Sequence, residues 1–253
     1  MFIVQPQQKI NVKLNTIILK ITAFLFFIFF IFVNQAISQS FERGDDAANA
    51  GDFATALKEW KPLAENGDVK AQASLGFMYL EGKGVPKDYE KAEKWFKEAA
   101  EQGSMEAQFL LGQRYLQGDG FEKNIEQSLV YLSLAAEQDF APAQFLLGSI
   151  YQSIHKPWDE IEATKWWIRS AEQGFPPAMR ELGKKYQKDG WLADNLIMQE
   201  VGLMWSVIAM LVGDESAEFY VQMGENRLSE ESIARVRILV EACFKKDFVG
   251  CEN

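Results

Sequence analysis

Ser153 and Lys156 stand three apart in "SIHK", and the chain's only histidine, His155, lies between them. At that spacing a lysine amine can serve as base for a serine nucleophile, and the chemistry would be acyl transfer from a lactam. Thirteen serines and nineteen lysines in 253 residues generate about one such match by accident. The Ser-Asp-Asn and Lys-Thr-Gly elements that accompany it in penicillin-recognising enzymes are missing from the sequence. A lone loop histidine reads as a solvated side chain rather than a general base. No Gly-x-Ser-x-Gly, Walker loop or His-Glu-x-x-His occurs, and the many carboxylates nominate no pair for glycoside chemistry. The sequence predicts neither an enzyme nor a cofactor or metal site.

Cys243 and Cys251, the only cysteines, offer redox chemistry instead. Eight residues of continuous helix would hold them about 12 Å apart, too far for a bridge whose Cα atoms stand about 4.4 to 6.8 Å apart. A disulfide therefore requires the helix to end between them, which Asp247 and Gly250 permit. Two free thiols or a partial metal site are the alternatives, although two sulfurs without a nearby histidine ligate zinc poorly.

The elements that must position these residues are legible as a repeat. "AQFLLGQRY" at 107–115 returns as "AQFLLGSIY" at 143–151. Ala71, Ala107, Ala143 and Ala178 open four in-phase blocks, followed by Leu-Gly at 75–76, 111–112, 147–148 and 182–183, and by Tyr79, Tyr115, Tyr151 and Tyr186. A second signature follows in each: Ala92-x-x-Trp95-Phe96, Ser128-x-x-Tyr131-Leu132, Ala163-x-x-Trp166-Trp167 and, more loosely, Gly202-x-x-Trp205-Ser206. Both have helical periodicity, so each block is a helical hairpin that cannot bury its apolar face alone. A glycine at one register inside four helices, each costing about 1 kcal/mol against alanine, implies close approach of a ring from a neighbouring helix. The blocks stop at Gly103, Asp139, Gly174 and Gly213; glycine suits a left-handed cap, and aspartate tolerates it less well. The joints read "EGKGVPKD", "QGDGFEKN", "SIHKPWDE" and the longer "QKDGWLADNLIMQE", of which the last two are expected to protrude.

These motifs resemble the Sel1-like repeat, a relative of the tetratricopeptide repeat, over about residues 41–213. The resemblance implies an all-α fold, a right-handed α/α solenoid of stacked hairpins. Its expected parts are a degenerate first unit over 41–69, repeats at 70–105, 106–141 and 142–176, a divergent one at 177–215, and a C-terminal cap over 216–253. In the first unit Ala56, Trp60, Leu63, Ala64 and Gly67 fall in register with the later second helices. In the last, Ser229 suits an N-cap, Glu230 and Glu231 the positive helix pole, and Lys245 and Lys246 the negative one. Exported members often carry a Cys-x7-Cys pair, which implies pairing of Cys243 with Cys251. A cysteine-rich branch has been associated with penicillin, so a cell-envelope enzyme or a penicillin- or peptidoglycan-binding protein is the alternative function.

Residues 1–38 differ from the rest: Lys9, Lys13 and Lys20, no acid, then an apolar run of 13 residues from Ile21 to Val33. That is short for a membrane span of about 20 residues and fits a signal peptide, with Ala36 and Ser38 placing cleavage after Ser38; an uncleaved anchor is the rival. Export to a bacterial periplasm or beyond is the expectation, with no membrane attachment after cleavage. Removing the leader takes the formal charge from −10 to −13, which excludes nucleic acid as a partner. What remains is an unidentified protein or peptide ligand. By the family resemblance, the first helix of each hairpin lines a concave face, where Phe77, Phe109, Gln113, Phe145, Ser149, Arg180 and Lys184 are the candidates, with Ala73 one turn earlier. Phe109 and Phe145 could instead pack against each other between layers, and Trp158 in the third joint is a further candidate.

Overall fold

A computed structural model describes residues 37–153 and 157–251, together with Phe24 and Phe27. All described elements are helices: α1 over 37–49, then α2 (Phe53–Glu65), α3 (Val69–Glu81), α4 (Tyr89–Glu101), α5 (Met105–Gln117), α6 (Ile125–Glu137), α7 (Ala141–Ser153) and α8 (Pro157–Glu172). There follow α9 (Pro176–Leu192), α10 (Leu196–Leu211), a 3-10 turn (Glu215–Ala217), α11 (Glu218–Glu225) and α12 (Glu230–Lys245). The fold is all-α and built of helical hairpins. Two compact units, Met1–Trp95 and Phe96–Asn253, divide the chain within α4.

Short polar side chains start these helices. Asp52, Asp68, Ser104, Asn124, Asn195 and Ser229 each accept a hydrogen bond from the amide three residues on, which satisfies one of the amides a helix start leaves open. Between hairpin arms, Gly82 and Gly84 adopt φ of 70° and 71°, and Gly118 and Gly120 75° and 79°, a left-handed turn that side-chain-bearing residues enter at a cost. Asp139 takes the same hand at φ 61°, so an aspartate performs the stop that glycine performs at 103 and 174.

In the first unit the core is Ala56, Trp60, Leu63, Ala64, Ala71, Leu75 and Met78. α1 closes it: Phe41 stacks on Trp60 with centroids 5.9 Å apart, and Trp60 Nε1 donates to the Phe41 carbonyl at 3.2 Å. Ser40 Oγ and Arg43 donate to Glu59 at 2.7 and 2.9 Å. The Ser40 hydrogen bond first, and Arg43 second, hold the Glu59 carboxyl below its ordinary value. A depressed acid stabilises the folded form above its unfolded pKa and loses that contribution as pH falls through the folded value. Acidification below the ordinary glutamate range is therefore expected to speed hydrogen exchange in 37–49, and Glu59→Gln to flatten that response; an unchanged pH profile in the variant would count against it.

In the second unit, α5 packs on α6, α7 on α8 and α9 on α10. The recurring helix glycines are where the arms touch. A Cβ on Gly112 would stand 2.5 Å from Leu132 Cγ; on Gly148, 2.5 Å from Trp167 Cδ1; and on Gly183 it would collide with Ser206 Oγ. The contact is thus a ring only at Gly148; the others meet leucine and serine, because the close approach is of helix to helix. A ring fills the same role in the first unit, where a Cβ on Gly44 would strike Trp60.

The long fourth joint does not protrude. Its residues extend α9 to Leu192, and the turn is confined to 193–195, with Asp194 at φ 48°. Gly190 and Gly202 explain this: Cβ atoms there would meet the Gln199 amide at 2.7 Å and the Gln187 amide at 2.5 Å. Glycine on both arms lets α9 and α10 run together for an added turn. Of the third joint, residues 154–156 lie outside the described set, and residue 158 falls in the first turn of α8 rather than in a loop.

A buried amide series ties the repeats together. Gln72, Gln108 and Gln144 follow the opening alanines and are at most 4% exposed. Each Nε2 donates to the carbonyl eight residues back, on Ala64, Ala100 and Ala136, at 3.3, 3.0 and 3.0 Å. Gln108 Oε1 accepts from Gln138 at 2.8 Å and Gln144 Oε1 from Gln173 at 2.7 Å. Met179 holds the fourth position, fully buried. Gln144→Leu should cost about 1–3 kcal/mol through the loss of two hydrogen bonds, to the Ala136 carbonyl and from the Gln173 amide, at about 0.5–1.5 kcal/mol each; thermal melts unchanged from wild type would refute this.

Candidate interaction face and C-terminal clasp

The first-helix candidates share one physical setting on α5 and α7. Ala107 and Leu111, like Ala143 and Leu147, are fully buried, whereas Phe109, Gln113, Phe145 and Ser149 are half-buried. Phe109 and Phe145 do not pair with each other. Phe109 sets its ring edge-on to Phe140 at 5.4 Å, and Phe145 lies against Phe175 at 5.6 Å. Phe140 and Phe175 stand immediately before the next first helix, or at its N-cap, so each phenylalanine seals the step between consecutive repeats and leaves its rim to solvent. Ser149 Oγ donates to the Phe145 carbonyl at 3.0 Å within its own helix. In the first unit Phe77 is 44% exposed on α3.

The two cations on α9 are engaged within the chain. Arg180 Nη1 donates to Asp214 at 2.5 Å and to Ser216, pinning the 3-10 turn. Lys184 donates to Glu181 at 2.8 Å and stands 5.5 Å above the Tyr220 ring. They are tied to the chain's own carboxylates rather than standing as free anchors. Next to Lys184 on α9, Lys185 donates to Asp189 of the same helix at 2.5 Å and to Glu160 of α8 at 3.1 Å. Burial alone would lower its pKa, but these two carboxylates outweigh it and hold the ammonium above the ordinary lysine value.

Of the acyl-transfer pattern, Ser153 is described: its Oγ donates to the Ile150 carbonyl at 2.7 Å, closing the last turn of α7. His155, Lys156 and the Trp158 side chain lie outside the described residues. Among the described residues no group of three His, Cys, Asp or Glu is gathered as for a metal, and no helix is long and apolar enough to cross a membrane.

Cys243 and Cys251 stand at disulfide distance, Cα atoms 5.1 Å apart. α12 ends at Lys245, and Asp247, Phe248 and Gly250 all take positive φ, 48°, 70° and 62°, turning the chain back. Gly250 supplies that freedom cheaply; Phe248 does not. The turn docks on the α8–α9 joint: the Gly250 amide donates to Glu172 at 2.9 Å, and the Phe248 ring lies over Gly174. Higher on α12, Arg235 clasps Glu200 of α10 through Nε and Nη2 at 3.0 and 2.6 Å. Glu200, buried at 7% exposure, carried no sequence signal, because a lone glutamate in an apolar helix has no motif; the arginine 35 residues on was its only trace.

The Sel1 repeat model matches residues 69–104, 106–140 and 141–175. The fourth in-phase copy lies beyond those matches. Among solved structures, a protective antigen present in uropathogenic Escherichia coli strains, displaying an SLR fold, is 28% identical with a TM-score of 0.66, covering 83% of this chain and 45% of its own. A Sel1 repeat protein from Oxalobacter formigenes is 27% identical with a TM-score of 0.66, covering 81% and 82%. The chain therefore spans less than half the length of the E. coli protein. No curated protein matches.

Proposed function

From the premise that residues 69–175 are three consecutive Sel1 repeats, a unit commonly used as a protein-interaction scaffold, we propose that this protein is an exported, non-catalytic scaffold. It binds a protein or peptide through the α5, α7 and α9 face. One observation carries the reading: the inward phase is constant and buried, while one step round the helix the positions 109, 145 and 180 read Phe, Phe and Arg and 113, 149 and 184 read Gln, Ser and Lys, all of them half-open. A constant frame presenting variable positions is a recognition surface. The half-open aromatic rims at Phe109 and Phe145 are a residue type enriched at interfaces. The cysteine pair at disulfide distance favours an oxidising compartment. The contacts of α1 with α2 begin at Ser40, so cleavage after Ser38 leaves them intact.

A photo-crosslinking residue at Gln113 or Ser149, activated in the native compartment and followed by mass spectrometry, should trap a discrete protein, with at least about tenfold less product after Phe145→Ala. Equal crosslinking by that variant, or turnover of nitrocefin or peptidoglycan by the mature chain, would overturn it.

A further inference from the structure

α10 and α12 leave between them a groove of about 300 Å³. One wall is Leu203, Val207 and Leu211, four residues apart on α10; the other is Ile233, Val236 and Val240 on α12. Leu203 and Val236 form a floor at 1% and 2% exposure, while Leu211 opens to solvent at 58%. The groove is aliphatic throughout, and its rim carries Glu225, Arg237 and Glu241.

The rim's arginine differs from the other arginines of the chain. Arg43, Arg114, Arg169, Arg180 and Arg235 each pair with a carboxylate, and Arg227 lies 3.9 Å over the Trp191 ring. Among the described residues Arg237 alone of the seven arginines has neither partner, and Glu225 and Glu241 have no ion pair. Arg237 precedes Glu241 by one turn, the weaker order for an intrahelical pair. Three unneutralised charges thus border an apolar floor.

We propose that this groove binds an amphipathic helix of a protein partner, its apolar stripe on Leu211 and the groove floor, basic on the flank facing Glu225 and Glu241, with one carboxylate toward Arg237. Two apolar walls with one-turn spacing fit anchors at i, i+3, i+4 and i+7. A small aliphatic acid would set its only charge among two carboxylates, whereas a helix distributes opposite charges along the rim. The proposal rests on the scaffold reading but uses none of the α5, α7 or α9 residues.

The test is fluorescence anisotropy of the mature chain with a labelled leucine, lysine and glutamate peptide of about fourteen residues, leucines at that helical spacing and the two charges on opposite flanks. Saturable binding is expected, at least about tenfold weaker with Leu211→Asp, with exchange protection confined to 203–211 and 233–241. Arg237→Glu should weaken binding, and replacing the peptide's glutamates by lysines should restore it. No binding by wild type, equal binding by Leu211→Asp, displacement of the peptide by decanoate, or a concentration-dependent dimer that Leu211→Asp abolishes would each overturn the proposal. Crosslinks from Gln113 and Ser149 report the scaffold reading separately, so their persistence alongside any of these results would remove this proposal alone.

Discussion

Gly148→Leu should destabilise the protein by at least about 1–3 kcal/mol despite putting a better helix former in a helix. The reason is local and geometric. Any Cβ at 148 stands 2.5 Å from both Cδ1 and Nε1 of Trp167 and 2.9 Å from the Ala163 carbonyl oxygen. Trp167 is 1% exposed and packs among Ala171, Ala178 and Met179, so its ring has nowhere to retreat. Propensity favours leucine by about 1 kcal/mol; overpacking outweighs it. Trp167→Ala alone should cost about 3–5 kcal/mol, and the double variant should cost less than the two separately, since the ring that leucine strikes is gone. Hydrogen exchange should quicken first across 107–186 and later at 229–247. A melting temperature unchanged or raised by Gly148→Leu would refute close approach, and with it the helical phase that defines the α5, α7 and α9 face.

Breaking the Cys243–Cys251 link should release the carboxyl-terminal turn. The loop-entropy estimate for so short a ring is about 2–3 kcal/mol, and the native turn holds Phe248 at φ 70°, a conformation that a bulky residue enters at a cost. In Cys243→Ser with Cys251→Ser, exchange should accelerate at 248–251 and at 172–175, where Glu172 and Gly174 receive the turn, while the first unit is unaffected. Thiols titrating under denaturing, non-reducing conditions in protein taken from its native compartment would sink the disulfide.

Much of this was legible because repetition multiplies a weak local signal. Ala71, Ala107, Ala143 and Ala178 each say little; in phase they define hairpins, and all four are fully buried. The helix glycines announced close contact but not its partner, since a sequence shows which residue lacks a side chain and not which atom fills the space. Leu132 and Ser206 stand where a ring was expected for the same reason. The long fourth joint misled because Gly190 in "KDGW" reads as a breaker until Gly202 is seen opposite it. Half of the candidate face was visible as variable positions. That Arg180 and Lys184 are engaged by Asp214, Ser216 and Glu181 was not, because the turn that engages Arg180 lies 34 residues away.

The glutamine series sets a rule for heredity. Gln108 and Gln144 each donate a hydrogen bond to the carbonyl eight residues behind and accept one from an amide 30 or 29 residues ahead. A duplicated or deleted segment between residues 106 and 175 meets matching donors and acceptors at both seams, provided whole copies are gained or lost. Met179 offers the next copy no such acceptor. Relatives of this gene should therefore vary in copy number ahead of α9 and keep α9 through α12 as a single inherited block.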